Sequence, residues 1–207
     1  MNTSAKFISF EGSEGVGKST LVSRLDKWLR DQALSVVLTR EPGGTELSEI
    51  LRELVINQPM AVQTELLLLF AARAEHINQV IKPALAAGSW VLCDRFVDAS
   101  YAYQGHGRGI ALDKIDLLVE AFVDVMPKLT FWLDAPVALG LERAAKRSAP
   151  DRFEREKIEF FDRVSEGYRS QYERAGERVV RLDATQSADA LFEEAREHLT
   201  QLVGAAK

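Results

Sequence analysis

The sequence predicts an α/β protein, a three-layer α/β/α sandwich around a five-stranded parallel sheet. Five short apolar segments are typical of strands that are buried on both faces of a parallel sheet. Helical patterns separate these segments, as right-handed crossovers between parallel strands require. A glycine-rich run, Gly12–Ser19, lies directly between the first strand and the first helix. Ligands of such folds bind at the carboxyl ends of the strands, so the polar residues at that edge are the candidate site residues.

The strands and helices follow one another along the whole chain. The predicted strands are Phe7–Phe10, Val36–Thr39, Trp90–Asp94, Leu129–Asp134 and Val179–Asp183. The predicted helices are Ser19–Asp31, Glu46–Ile56, Thr64–Ala87, Lys114–Val125, Pro136–Arg147, Ile158–Ala175 and Ser187–Val203. No repeat, low-complexity tract or linker interrupts the 207 residues, so we expect a single domain over residues 1–207.

Composition excludes several classes of protein. A content of 46% hydrophobic and 28% charged residues is ordinary for a globular protein, and the net charge of -5 argues against a nucleic-acid partner held by global positive charge. The single cysteine, Cys93, excludes an intrachain disulfide and is expected in the core. Residues Met1–Lys6 are too short and polar for a signal peptide, and the apolar stretch Leu66–Ala72 cannot span a bilayer. We therefore expect a cytoplasmic enzyme with no membrane partner.

The run Gly12–Ser19 fits the phosphate-loop pattern G-x-x-x-x-G-K-[ST]. Its glycines allow backbone N–H groups to converge on phosphates, and the following helix adds the positive end of its dipole. Lys18 is expected to reach the β- and γ-phosphates, and the Ser19 hydroxyl to hold Mg²⁺. The predicted ATP-binding residues are Gly12, Ser13, Glu14, Gly15, Val16, Gly17, Lys18, Ser19 and Thr20.

Two further strands end in polar residues. The run Thr39–Thr45 contains a proline and two glycines, so it either lets the backbone approach a small ligand or forms a simple turn. Asp94 and Arg95 close the third strand. The carboxylate is a candidate Mg²⁺ ligand and the guanidinium a candidate phosphate ligand, with a buried structural ion pair as the alternative.

Two helical segments carry groups suited to a nucleoside. Phe70 and Arg73 lie three residues apart on one face of a predicted helix, although Phe70 also fits a core position. The run Ser100–Gly105 offers a hydroxyl, two aromatic rings and an amide, which suit the reading of a base edge. Glu65 and Glu75 are expected on the helix surface or at caps, and the spacing of the three histidines indicates no metal site.

A basic cluster lies around residues 143–155, where a helix ends in a proline-containing loop. Its members are Arg143, Lys146, Arg147 and Arg152. Such a cluster is either a solvated face or, in a phosphate-loop enzyme, a lid whose arginines close over the triphosphate.

Taken together, these segments resemble the bacterial thymidylate kinases. The similarity is carried by the phosphate loop with Glu14, by Thr39–Gly44, by Phe70–Arg73 with Glu75 and His76, and by Asp94–Arg95 with Ser100–Gly105. It implies a nucleoside monophosphate kinase fold, transfer of the γ-phosphoryl group of MgATP to dTMP, and a homodimer. The alternatives are another small-acceptor kinase of this fold and a GTP-binding switch; the chain has no N-K-x-D guanine-recognition pattern.

The resemblance also implies residue roles. Arg73 holds the base, Arg95 and Arg52 bind the acceptor phosphate, Ser100 and Gln104 contact the thymine edge, Tyr103 disfavours a 2′-hydroxyl, and Glu14 approaches the sugar. Glu41 and Pro42 complete the predicted substrate site.

The family's base-stacking aromatic residue precedes the arginine by four positions, which indicates Leu69, whereas Phe70 precedes it by three. The eukaryotic-type members carry a basic residue at the position of Gly15. Its absence here is similar to the bacterial type, so the resemblance implies a catalytic arginine in the lid, with Arg147 as the first candidate and Arg152 as the second. Lys18 and Arg95 complete the predicted catalytic set. Since the attacking phosphate oxygen is already ionised at neutral pH, positioning and charge neutralisation must supply the rate.

Overall fold

A computed structural model describes residues 6–146 and 152–205. Its strands are β1 (Phe7–Glu11), β2 (Val36–Arg40), β3 (Trp90–Asp94), β4 (Leu129–Asp134) and β5 (Val179–Asp183). They form one parallel sheet in the order β2-β3-β1-β4-β5. β1 lies at the centre, where the strand order reverses, so the loop after β1 occupies the position at which such sheets bind ligands.

Nine α-helices surround this sheet in the described part of the chain. They are α1 (Lys18–Asp31), α2 (Glu46–Asn57), α3 (Val62–His76), α4 (Lys82–Ala86), α5 (Val97–Ser100), α6 (Leu112–Phe122), α7 (Val137–Ala145), α8 (Ile158–Ala175) and α9 (Ala188–Ala205). Within the described residues, no helix combines the length and the apolar composition needed to cross a bilayer.

Both faces of the sheet are covered. On one face, leucines of α1 and α9, including Leu25 and Leu199, pack against Phe10 and Phe131 of the central strands. On the other face, one cluster joins Phe70 of α3 to the sheet, and another joins α8 to β4 and β5. The predicted three-layer sandwich with five parallel strands is confirmed.

Local chemistry fixes where the site-bearing helices begin. α1 starts after Gly17, whose φ of 99° lies in the left-handed region that favours glycine. α2 starts after its N-cap residue Thr45, whose hydroxyl oxygen accepts a hydrogen bond from the N–H of Ser48 at 3.1 Å. The first turn of α2 carries Glu46 and Glu49, which complement the helix dipole.

The helices differ from the prediction in two places. The single helix expected over Thr64–Ala87 is divided into α3, a π-helical segment Ile77–Ile81 and α4. Pro83 supplies the physical reason, because it has no N–H to donate to the carbonyl four residues earlier. The second difference concerns the run Ser100–Gly105, where a short helical turn was expected and α5 instead continues into a longer π-helix over Tyr101–Gly107.

Candidate active site

The phosphate loop follows β1 and wraps around the amino group of Lys18. The Lys18 Nζ donates to the carbonyl oxygens of Gly12 and Ser13, both at 2.9 Å. Gly12, Gly15 and Gly17 all have positive φ, as expected of a loop whose N–H groups converge on one point. Thr20 is exposed on the first turn of α1.

The loop is in close contact with α7. An ideal Cβ on Gly15 would lie 1.9 Å from the carbonyl oxygen of Gly140, and one on Gly140 would lie 2.5 Å from the carbonyl oxygen of Glu14. Both distances are shorter than a van der Waals contact. The position of the phosphate loop therefore depends on glycine in both segments.

A polar cleft opens beside the loop. It is lined by Glu14, Gly15, Val16, Gly17, Lys18, Ser19, Arg40, Glu41, Arg52, Asp94 and Arg95. The Oδ1 atom of Asp94 is buried and has no hydrogen-bond partner among the described residues. A buried carboxylate oxygen without a donor is suited to a cation, and Ser19 lines the same cleft, so Asp94 and Ser19 remain the candidate Mg²⁺ ligands.

Arg95 stands at the centre of the site. Its φ of 68° is unusual for a residue with a side chain, and its N–H donates to the Phe10 carbonyl at 2.9 Å. The guanidinium donates to Glu14 Oε1 at 2.7 Å, to the Tyr168 hydroxyl at 2.8 Å and to the Gly12 carbonyl at 2.9 Å. The guanidinium carbon lies 4.8 Å from the centre of the Tyr103 ring. These contacts fix the cation next to the phosphate loop.

The charged groups around Arg95 shift the pKa values of their neighbours. Burial by itself raises the pKa of Glu14, but Arg95 and Lys18 reverse that effect and lower it to about 2. Burial lowers the pKa of Lys18 to about 8, and the neighbouring Arg95 adds to the decrease. Tyr103 also donates to Glu14 Oε1, at 2.8 Å. Glu14 thus remains ionised at neutral pH between two cations.

A second carboxyl group, Glu11, lies fully buried beneath this cluster. Its Oε1 accepts from the N–H of Phe96 at 2.7 Å, and its Oε2 accepts from the Tyr168 hydroxyl at 3.0 Å. Burial raises the pKa of Glu11 to about 8, with repulsion from Asp98 as the next cause. Tyr168 therefore connects Glu11 to Arg95. The sequence alone gave no signal for Tyr168, which lies 157 residues from Glu11.

A second cleft adjoins the first. It is lined by Glu14, Glu41, Pro42, Arg52, Val55, Ile56, Leu69, Arg73, Arg95, Phe96, Ala99, Ser100, Tyr103, Gln104 and Phe153. This set includes every predicted substrate-binding residue except Phe70. Segments that follow β2 and β3 meet α2 and α3 here, as expected from the parallel sheet.

Arg73 is held rigidly at the inner end of this cleft. Its Nε donates to Glu41 Oε2 at 2.7 Å, its Nη1 to Ser100 Oγ at 3.1 Å and its Nη2 to the Phe96 carbonyl at 3.2 Å. The other oxygen of Glu41 is hydrogen-bonded to His76 Nδ1 at 2.9 Å. Glu41 and Arg73 are both only 4% exposed. Because the described part of the chain uses only three of the five N–H groups of Arg73, two can still donate to a ligand.

Leu69 and Phe70 lie in different environments. Leu69 lines the cleft, whereas Phe70 is 3% exposed and packs in the core. The Phe70 ring lies beneath Arg73, 4.7 Å from the guanidinium carbon to the ring centre. Phe70 therefore supports Arg73 and does not border the ligand space.

Of the two candidate lid arginines, one lies among the described residues. Arg147, the first catalytic candidate, lies outside the described residues. Arg152, the second candidate, does not line the phosphate-loop cleft. Its Nη2 donates to Glu65 Oε2 at 2.6 Å and its Nε to the Val55 carbonyl at 2.9 Å. Glu65 is 1% exposed, so the expectation of a surface or cap position was wrong for this residue.

A phosphate loop at the centre of a parallel sheet and an adjoining acceptor cleft lined by arginines define a phosphotransferase of the nucleoside monophosphate kinase class. Comparison with known proteins narrows this class. The family model for thymidylate kinase matches residues 10–195. The chain belongs to the thymidylate kinase family.

Individual relatives agree with this assignment. The chain is 55% identical to the thymidylate kinase of Acinetobacter baylyi, over 95% of this chain and 100% of the relative. It is 54% identical to that of Acinetobacter baumannii strain AYE, over 93% of this chain and 99% of the relative. The crystal structure of thymidylate kinase from Ehrlichia chaffeensis matches with a TM-score of 0.77 and 34% identity, covering 93% of this chain and 97% of that one.

Proposed function

We propose that this protein transfers the γ-phosphoryl group of ATP to dTMP, giving dTDP and ADP. The observation that carries the proposal is the junction of the two clefts, which share Glu14, Glu41, Arg52 and Arg95. A triphosphate in the phosphate loop and a monophosphate in the adjoining cleft would meet at Arg95. Membership of the thymidylate kinase family supports the same reaction.

The reaction needs charge neutralisation more than proton transfer, because the acceptor oxygen is already ionised at neutral pH. Lys18 neutralises the donor phosphates, and Arg95 neutralises the acceptor phosphate and the transferring group. Tyr168, Glu14 and the Gly12 carbonyl hold the Arg95 guanidinium before any ligand arrives. A group fixed in advance requires little reorganisation in the transition state.

Magnesium is the proposed cofactor. Asp94, whose Oδ1 has no hydrogen-bond partner in the described ranges, and Ser19 would hold it in the phosphate-loop cleft. When bound, Mg²⁺ would supply positive charge next to the phosphates. A lid around residues 143–155 completes the proposed site. We keep Arg147 as its candidate catalytic arginine, because Arg152 is engaged with Glu65.

The hydrogen-bonding groups of the acceptor cleft favour a thymine or uracil base. The two remaining N–H groups of Arg73 can donate to a base carbonyl, and Gln104 lies in the same cleft. Leu69 and Phe153 provide apolar contact for the ring. Tyr103, bonded to Glu14, is the proposed barrier to a 2′-hydroxyl.

Phosphoryl transfer is tested by a coupled assay with ATP and a panel of acceptors: dTMP, dUMP, dCMP, AMP and GMP. The expected result is the highest kcat/KM with dTMP. Preference for any other acceptor would refute the specific claim and favour another small-acceptor kinase. ATP hydrolysis without an acceptor, stimulated by a protein, would favour a nucleotide-dependent switch.

A homodimer in the cytoplasm, where ATP and nucleotide precursors occur, is part of the proposal. Large apolar side chains are exposed on α2, α3 and α6, including Ile50 at 55%, Leu67 at 58% and Leu117 at 64%. α3 contacts both α2 and α6, so these helices are suited to face a second copy about a two-fold axis. Light scattering is expected to give twice the chain mass. Leu117→Glu should shift the protein towards monomer, whereas Ile158→Glu, on α8, should not.

A further inference from the structure

Glu65 is a buried carboxylate that joins three separate segments around the acceptor cleft. Its Oε1 accepts from Gln104 Nε2 at 2.8 Å and from Arg108 Nε at 3.4 Å. Its Oε2 accepts from Arg152 Nη2 at 2.6 Å. Gln104 and Arg108 belong to the π-helical stretch and its end, while Arg152 lies on the segment between α7 and α8. Two guanidinium groups thus compensate the buried charge, and one carboxamide completes the cluster.

The contact with Glu65 fixes which end of the Gln104 amide faces the ligand. A carboxylate with arginine partners accepts hydrogen bonds, so the NH₂ group of Gln104 must point towards Glu65. The carbonyl oxygen of Gln104, a residue only 2% exposed that lines the acceptor cleft, is then left for the base. Without Glu65 the amide could turn over and present a donor instead.

Arg73 lies in the same cleft and still has N–H groups to donate. A donor next to an acceptor matches a base edge that places a carbonyl beside a ring N–H, as thymine and uracil do. Cytosine presents an amino group beside an unprotonated nitrogen, which is the opposite pattern. We propose that Glu65 is a positioning residue that determines base specificity, because it holds the Gln104 amide in the orientation that accepts from the base. This inference rests on the proposed function.

The Arg152 contact gives Glu65 a second, separable task. The Arg152 N–H donates to the Ile56 carbonyl at 3.3 Å, and its guanidinium lies 4.6 Å from the ring centre of Phe153, which borders the cleft. Arg152 therefore holds the segment between α7 and α8 against α2 and α3. This contact covers any base equally, so its loss should weaken binding without changing base preference.

The test measures kcat/KM for dTMP and for dCMP in the full-length protein and takes their ratio. In Glu65→Gln the side chain can donate as well as accept, so both orientations of Gln104 are satisfied, and the ratio should fall by about tenfold or more. The matched control is Glu75→Gln, the same change ten residues further along α3. It should leave the ratio unchanged, whereas Arg152→Gln should raise KM for both substrates by similar factors.

A folded, dTMP-active Glu65→Gln variant with the wild-type ratio would overturn the inference. If that variant does not fold, as judged by thermal unfolding, Glu65→Gln combined with Gln104→Glu restores a carboxylate–amide pair and an acceptor in the cleft. This double variant should prefer dTMP, and a preference for dCMP would overturn the inference. Failure of the wild-type protein to phosphorylate dTMP would instead defeat the proposed function, and this inference with it.

Discussion

Replacement of Gly140 by alanine tests the contact between α7 and the phosphate loop. Gly140 lies inside α7, where alanine would ordinarily stabilise the helix by about 1 kcal/mol. Here its Cβ would approach the Glu14 carbonyl oxygen to 2.5 Å, and a Val16 methyl group would lie at 3.8 Å. The loop and the helix must therefore separate by several tenths of an ångström.

The magnitude follows from two opposing effects. Overpacking of a well-packed contact costs about 1–3 kcal/mol, which offsets the helix-propensity gain and leaves a net loss of about 0–2 kcal/mol. The effect on function is expected to be larger. The displaced backbone is the one proposed to bind the donor phosphates, and a misplacement of this order can cost up to about 10²-fold in rate. We therefore expect kcat/KM for ATP to fall by about 10- to 100-fold.

Kinetic measurements at varied ATP concentration give kcat/KM for ATP, and thermal unfolding gives the change in stability. The matched control is Gly204→Ala, in α9, because an ideal Cβ there has no neighbour within 4 Å among the described residues. The control should be as stable as the wild type or slightly more stable, with unchanged ATP kinetics. A Gly140→Ala protein that gains stability and keeps its kcat/KM for ATP would show that the contact does not position the loop.

Three further predictions concern the charged groups. Arg95→Ala should lower kcat by on the order of 10²- to 10³-fold while the protein stays folded, because Glu14 keeps Lys18 and Tyr103 as neighbours; near-normal turnover would contradict its role. Because the folded-state pKa of Glu11 is raised from 4.5 to about 8, wild-type stability should fall as pH rises through that window, and Glu11→Gln should remove this decrease. Urea unfolding at pH 5 and pH 8 measures the change in the free energy of unfolding. An equal loss of stability in the wild type and in Glu11→Gln would refute the assignment of this change to Glu11. Asp94→Asn should raise the Mg²⁺ concentration needed for half-maximal rate by about tenfold; an unchanged requirement would exclude Asp94 as a ligand.

The sequence predicted the parts of the fold that depend on local pattern. Strands such as Trp90–Asp94 are continuous apolar runs, and the structure places that strand at the predicted residues. The phosphate loop was equally accessible because its chemistry lies within eight consecutive residues. By contrast, the π-helical break after α3 depends on how Pro83 is accommodated, which helical periodicity does not describe.

Local sequence patterns could not predict the position of side chains that contact residues far away in the sequence. Positions 69 and 70 are adjacent on α3, so a spacing of three or four residues before Arg73 allows either to face the cleft, and only tertiary packing puts Phe70 in the core. The sequence predicts a surface position for Glu65, because it is a single charged residue on a helix. Its burial depends on partners 39 and 87 residues away, which no local pattern shows.

The two central cations differ in how far they are fixed before ligands bind. In the described part of the chain, Arg95 uses three of its five N–H groups on Gly12, Glu14 and Tyr168, so two remain for a phosphate while all three contacts persist. Lys18 donates two of its three N–H groups to carbonyl oxygens of the loop. It must therefore exchange those partners to make more than one contact with a triphosphate. An arginine that adds a ligand without losing its supports suits the reacting centre, where reorganisation would raise the barrier. A lysine that changes partners suits the donor phosphates, whose binding precedes the chemical step.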